Sequence, residues 1–152
     1  MLTDSFLNSL IEFRRELHRF PEVSNQEEKT AKRVVENLGG CGVLVIFNGK
    51  EKGKTIAFRA ELDALPIQEE QHPNIDYTSN KEGVSHLCGH DGHMAMVLSL
   101  LEELTSNPIQ KGKVVLLFQP AEETGEGAAR MIADKRFQDL SIDAIYALHN
   151  IP

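Results

Sequence analysis

Cysteine is scarce in these 152 residues: only Cys41 and Cys88 occur. A disulfide framework is therefore excluded, and a cysteine lying among histidines reads as a metal ligand or a nucleophile. Long apolar runs are missing as well; the longest, residues 94–101, is broken by Ser99 and is too short to cross a bilayer. The opening residues lack the basic stretch, apolar stretch and cleavage site of a secretory signal. These absences lead to the expectation of a soluble, cytoplasmic protein without a membrane partner. Positive charge is short too: 16 Lys+Arg against 23 Asp+Glu leave a net charge of −7, which repels a phosphate backbone and makes nucleic acid a poor partner. No internal repeat, linker or low-complexity segment interrupts the chain. At this length one domain with a real core is expected, and a second independent domain is not.

What is present alternates between helical and strand-like periods. Thr3 or Asp4 can cap a first helix in which Phe6, Leu10, Phe13 and Leu17 recur at three- and four-residue steps until Pro21 stops it. Ser24-Asn-Gln-Glu27 has the form of a capping box for a second helix running to Gly39-Gly40. Residues 43–47 and 55–60 are β-rich runs whose spacing fits two strands joined by a turn. Residues 66–84 are polar and aperiodic, a long loop of the kind that is often functional. A third helix carries Met94, Val97, Leu98, Leu101 and Leu104 on one face, with Met96 and Leu100 on the other, so it is expected to be largely buried. Residues 113–118 read as a central strand covered on both faces, a short helix is expected over about 127–134, and residues 144–148 form a last strand. The alternation indicates an α/β sandwich with a substantially parallel sheet.

The densest polar cluster is His86-Leu-Cys88-Gly-His90-Asp91-Gly-His93. Thiolate and neutral imidazole are both good ligands for zinc and related divalent ions. On a helix, residues two apart point to nearly opposite sides, so Cys88 and His90 can share a cation only on extended or looped backbone, which Gly89 and Gly92 permit. One such residue alone would more often be a buried thiol or a surface histidine; their concentration in a single segment favours a site. Asp91 is equally a helix cap or an acceptor for a ligand imidazole's second N–H. Glu122-Glu123 follow the central strand and Pro120. Adjacent carboxylates in a tight turn can diverge, one toward a metal and one toward a water proton, although such a pair in isolation is more often a solvated acidic turn. His149 follows the last strand, where a lone histidine is usually structural. Its position favours function, because ligands of open α/β sheets gather beyond the carboxyl ends of strands, where Glu122, Glu123 and Asp63 also fall. Asp63 could equally start an ordinary turn. His18, His72, Cys41, Glu69-Glu70 and Glu102-Glu103 take the plain reading of packed or solvated residues.

Taken together, Arg59-Ala-Glu-Leu-Asp63-Ala-Leu-Pro66, Cys88-Gly-His90-Asp91-Gly-His93, Gln119-Pro-Ala-Glu122-Glu123 and Leu148-His149-Asn150 closely resemble the amidohydrolase branch of the aminoacylase-type metallopeptidases. That branch includes hippurate hydrolases, indole-acetyl-amino-acid hydrolases and N-acetyl-diaminopimelate deacetylases, and Arg14-Arg-Glu-Leu-His-Arg-Phe-Pro21-Glu fits its opening helix. The resemblance implies an incomplete three-layer α/β sandwich with a largely parallel central sheet, a zinc-exopeptidase-like catalytic domain. It implies Cys88, His90, Glu123 and His149 as metal ligands, with Glu122 as general base and Asp63 also among the catalytic residues. Two ions, zinc or manganese, are implied for the complete enzyme; His93 matches the motif but not a ligand position. The reaction implied is hydrolysis of the amide bond of a small N-acyl amino acid or similar amide. A cation-activated water gives its proton to Glu122, which then passes it to the departing amine.

By the same resemblance, residues 1–152 are the N-terminal part of the catalytic domain, about the first two-fifths of a member's length. The lid and dimerisation domain and the C-terminal part of the catalytic domain, with a last histidine ligand, are then absent. An exposed sheet edge and apolar surface would favour self-association or call for a complementing second polypeptide. The isolated chain is accordingly expected to bind metal weakly and to turn over little or no substrate. Two other readings stay open: an inactive remnant serving as a binding or assembly module, and a nucleophilic Cys88 paired with His90 or His93, which the two-residue spacing makes awkward.

Overall fold

The computed structural model describes residues 2–37 and 44–150; Cys41 and the expected Gly39-Gly40 end of the second helix lie outside the described residues. Thr3 accepts the amide N–H of Phe6 and caps α1 (Asp4–Arg19), which ends at Phe20 just before Pro21. The entry to α2 (Glu28–Asn37) is not the capping box that Ser24 and Glu27 suggest. The carboxylate of Glu22 takes both the amide N–H (2.7 Å) and the hydroxyl (3.0 Å) of Thr30, leaving Ser24 and Glu27 to bond elsewhere. An orphan N–H at a helix start donates to any well-placed oxygen, and here the oxygen comes from outside the local motif.

Four strands, β1 (Leu44–Asn48), β2 (Glu51–Glu61), β3 (Lys111–Gln119) and β4 (Ala144–Ala147), form one sheet in the order β1-β3-β2-β4. β2 runs parallel to β3 and β4, and only β1 is antiparallel, to β3. The turn expected between the first two strands is present, yet those strands do not pair. Gly49 and Glu51 donate to the carbonyls of Gly112 and Gln110, and β3 lies between β1 and β2. β3 carries the most continuous apolar run, so an interior place in the sheet buries both of its faces.

Helices cover both sides. On one, α1, α2 and α3 (His90–Ser106) meet β2 and β3 through Leu17, Val34, Met94, Leu98, Leu116 and Phe118. On the other, Ala57 and Val115 pack with Leu140, Phe137 and Ile142 around α4 (Glu126–Ala133) and the short α5 (Lys135–Gln138), a turn of helix the sequence does not announce. The result is a three-layer α/β sandwich with a mostly parallel mixed sheet, as the alternating periods imply. One expectation fails: α3 is not buried all round, since Met96 is 44% exposed. Among the described residues nothing covers that side, and a largely apolar groove of about 470 Å³ runs between α3 and β4, lined in part by Phe58, Met96, Leu100, Tyr146 and Leu148.

Candidate metal centre

The site forms where the parallel strands end. Asp63 follows β2, Glu122 and Glu123 follow β3, His149 follows β4, and Cys88 and His90 stand at the N-terminus of α3. This is the crevice beyond the carboxyl ends of the strands that open α/β sheets use for ligands. The looped backbone needed to bring Cys88 and His90 together is found at Gly89, which has φ +91° and also packs so closely on Asn150 that a Cβ there would collide with the amide oxygen. Asp91 is not the helix cap, a position taken by Gly89.

Two imidazoles are fixed in the tautomer a cation requires. His90 is fully buried, and its Nδ1 donates to the backbone carbonyl of Asp63 at 2.7 Å. A carbonyl can only accept, so the proton resides on Nδ1 and Nε2 presents a lone pair. That Nε2 is buried without a hydrogen-bond partner, 3.7 Å from Glu123 Oε1 and 3.8 Å from Glu122 Oε2. His149 is held in the same way, its Nδ1 donating to the carbonyl of Asn150 at 2.7 Å while its Nε2 lies 3.4 Å from Cys88 Sγ. Potential ligand atoms lie within 4.8 Å of one another in each of three groups: Cys88, His90 and His149; His90, Glu122 and Glu123; and Glu61, His90 and His93. An orphaned imidazole lone pair facing two carboxylates, with a thiol and a second imidazole alongside, is a donor set that fits a divalent transition ion.

Negative charge is concentrated here. Burial, followed by hydrogen bonding to Glu123 and the charges of Glu123, Glu122 and Glu61, pushes the Cys88 thiol up to about 12. A nucleophilic cysteine needs the opposite shift, and the ring nitrogen within hydrogen-bond reach of Cys88 Sγ is His149 Nε2, not the His90 or His93 pairing the sequence suggested. The carboxylates themselves are held from several directions. Asp63 is wholly buried; its Oδ2 accepts from Ser24 Oγ (2.6 Å) and from the Glu123 amide (3.0 Å). Placed among the catalytic candidates by the sequence, Asp63 therefore sits behind the site, where it orients His90 and the Glu122-Glu123 turn without reaching the open face. Glu27 accepts the amide N–H of Ala121 at 2.7 Å, pinning the same turn at a residue with φ +46°.

His86 and His93 belong to the sequence cluster but not to its open face. His86 is buried with no hydrogen-bond partner on either nitrogen, and burial lowers it to about 4, so it is neutral. His93 bridges two partners, with Nδ1 2.9 Å from Glu61 Oε2 and Nε2 2.9 Å from Asn150 Oδ1. Two plain readings need correction. His18 is not a bystander: it donates from Nδ1 to Asp91 Oδ2 and from Nε2 to Glu69 Oε1, each at 2.9 Å. Glu69 is accordingly half-buried rather than part of a solvated face. Asp91 also receives Arg14 Nε at 2.8 Å, so it braces α1 against α3 instead of accepting from a ligand imidazole. Arg14, His18, Ser24 and Glu27 are contributions the sequence reading missed; their partners lie far away along the chain and leave no local pattern.

Fold and donor set together define a class, an α/β sandwich with a prospective metal centre at its strand ends. The chain belongs to Peptidase family M20/M25/M40, whose model matches residues 57–152. It is 39% identical to an N-acetyldiaminopimelate deacetylase of Oceanobacillus iheyensis, over 94% of this chain and 41% of that protein. It is 41% identical to an N-acetyl-L-cysteine deacetylase of Bacillus subtilis, over 94% of this chain and 36% of that one. Among solved structures, the Bacillus subtilis YXEP protein, described as a dinuclear metal binding peptidase from the M20 family, superimposes with a TM-score of 0.86 at 36% identity, covering 99% of this chain and 45% of that chain. The chain thus spans about two-fifths of the length of the curated relatives it matches.

Proposed function

We propose that these residues form the greater part of the active site of a metal-dependent amidohydrolase that cleaves the amide bond of small N-acyl amino acids. Cys88, His90, Glu123 and His149 are the ligands in this reading, and a divalent ion, zinc or manganese and one of a pair in the complete enzyme, would supply Lewis acidity and an activated water. The observation that carries the reading is the tautomer geometry: His90 and His149 spend their Nδ1 protons on backbone carbonyls and turn bare Nε2 atoms toward the Cys88 and Glu122-Glu123 cluster. The deacetylase names of the relatives support a small acylated amino acid as substrate.

Glu122 is the carboxylate left over once Glu123 is assigned to the ion. Its side chain is one-third exposed, so it can meet a substrate, and it lies 3.9 Å from Arg59. As general base it accepts a proton from the attacking water and delivers it to the departing amine nitrogen. Asp63 acts at one remove, through His90 and the Glu123 amide. Residues 1–152 are then the N-terminal part of the catalytic domain. Equilibrium dialysis of the protein against a zinc-containing buffer, followed by elemental analysis, tests the reading: about one or two equivalents bound beyond those of a Cys88→Ser control is the expected result, and no excess over that control would overturn it.

A further inference from the structure

β4 ends at Ala147, whose pairing with Arg59 is the last rung of the ladder, so nothing in the sheet fixes His149 two residues on. We infer that Glu61, His93 and Asn150 form a clamp that sets His149 in its ligand position. This inference rests on the metal-centre reading above and deepens it.

Glu61 is a carboxylate buried to 1% exposure, a costly placement that persists only when its charge is compensated. Arg59 Nη2 donates to its Oε1 at 2.6 Å and His93 Nδ1 donates to its Oε2 at 2.9 Å, so both oxygens are committed. The far nitrogen of His93 reaches the Asn150 amide oxygen at 2.9 Å, and that amide is seated against the bare α-carbon of Gly89. The backbone carbonyl of the same asparagine receives the Nδ1 proton of His149. Asn150 therefore performs two tasks: its side chain docks the segment on α3, and its carbonyl selects the tautomer and orientation of the neighbouring imidazole. The rings of His93 and His149 also touch, with centroids 5.0 Å apart. His149 and Asn150 are exposed, so without the clamp the imidazole would sample several rotamers, and each binding event would have to order it again. Glu61, His93 and Asn150 are thus positioning residues acting through His149.

Cadmium titration of the 152-residue chain provides the test, since a cadmium–thiolate bond gives an ultraviolet charge-transfer band that reports Cys88 directly. Affinity is measured against a chromophoric chelator for the wild type, His149→Ala, Asn150→Ala and the double variant, with circular dichroism as a check on folding. Asn150→Ala should weaken cadmium about 10- to 100-fold, as loss of an outer-sphere partner does, while keeping the thiolate band. The double variant should bind no more weakly than His149→Ala alone, because both changes act through one ligand. Unchanged affinity in Asn150→Ala, or full additivity in the double variant, would overturn the clamp even with the metal centre intact. A wild type lacking the band, or His149→Ala binding as tightly as wild type, would instead bring down the metal-centre reading and the clamp with it. His93→Gln extends the test; if it fails to fold, the exposed Asn150 position still decides the matter.

Discussion

Backbone carbonyls, rather than carboxylates, prepare the two imidazoles of this site, and the acids are thereby left free to meet a cation and a water. The roles of adjacent Glu122 and Glu123 then become separable. Glu122→Gln should lower kcat by about 10²- to 10⁴-fold in a hydrolytically competent form of the protein while leaving its metal content unchanged. Parallel loss of metal and activity, measured by elemental analysis and hydrolysis of an N-acyl amino acid, would contradict that assignment. His18 makes a different prediction. Burial alone would lower its pKa, but hydrogen bonds to Asp91 and Glu69 outweigh it, and the folded value is raised. A raised folded pKa stabilises the fold fully below the unfolded value of about 6.5 and loses that contribution as pH rises through the folded value. The stability gap between wild type and His18→Gln should therefore be about 1–3 kcal/mol near pH 5 and smaller near pH 9, measured by urea denaturation. A gap that widens with pH would refute the charged contact. The ligand candidates were legible in the sequence because Cys88 and His90 form a dense local motif and Glu122, Glu123 and His149 each follow a recognisable strand. His18 was not, because both of its acidic partners are far away in sequence and a histidine within an amphipathic helix looks ordinary.

At the level of elements, the strands deliver the site and the connections aim it. The turn after β3 is gripped by Glu27 at the Ala121 amide and by Asp63 at the Glu123 amide, while Gly127 at the start of α4 lies so close to the Pro120 carbonyl that a Cβ would overlap it. Glu27→Ala leaves a buried amide without a partner and should cost about 1–3 kcal/mol in chemical denaturation; a change within experimental error would mean that the turn is held some other way. The alternating periods made the layers readable, and the apolar run of residues 113–118 identified the central strand. The pairing of β1 with β3 was not readable, because a turn-like spacing says that two strands are close in sequence and does not say whether a third comes between them. Nor was the open side of α3: Met96 and Leu100 look like core residues wherever they occur, and only the packing reveals that the described residues leave them beside a groove.

At the scale of the whole molecule, a chain spanning about two-fifths of the length of its curated relatives gathers the candidate donor groups at one end of the sheet, and β4 is an edge strand among the described residues. Among the described residues β4 pairs on one side only; Ile145, Tyr146 and Leu148 are 49%, 57% and 65% exposed. Unpaired edges and contiguous apolar surface promote association, so sedimentation of the 152-residue chain should show mass rising with concentration. A compact monomer at every concentration would contradict this. In the proposed site a sulfur, two ring nitrogens and a carboxylate from distant segments share one ion. X-ray absorption at the zinc edge of the zinc-loaded protein reads that coordination shell. A single sulfur at about 2.3 Å together with imidazole scattering, and loss of the sulfur shell in Cys88→Ser, is the predicted result. A first shell of nitrogen and oxygen alone in the wild type would contradict it.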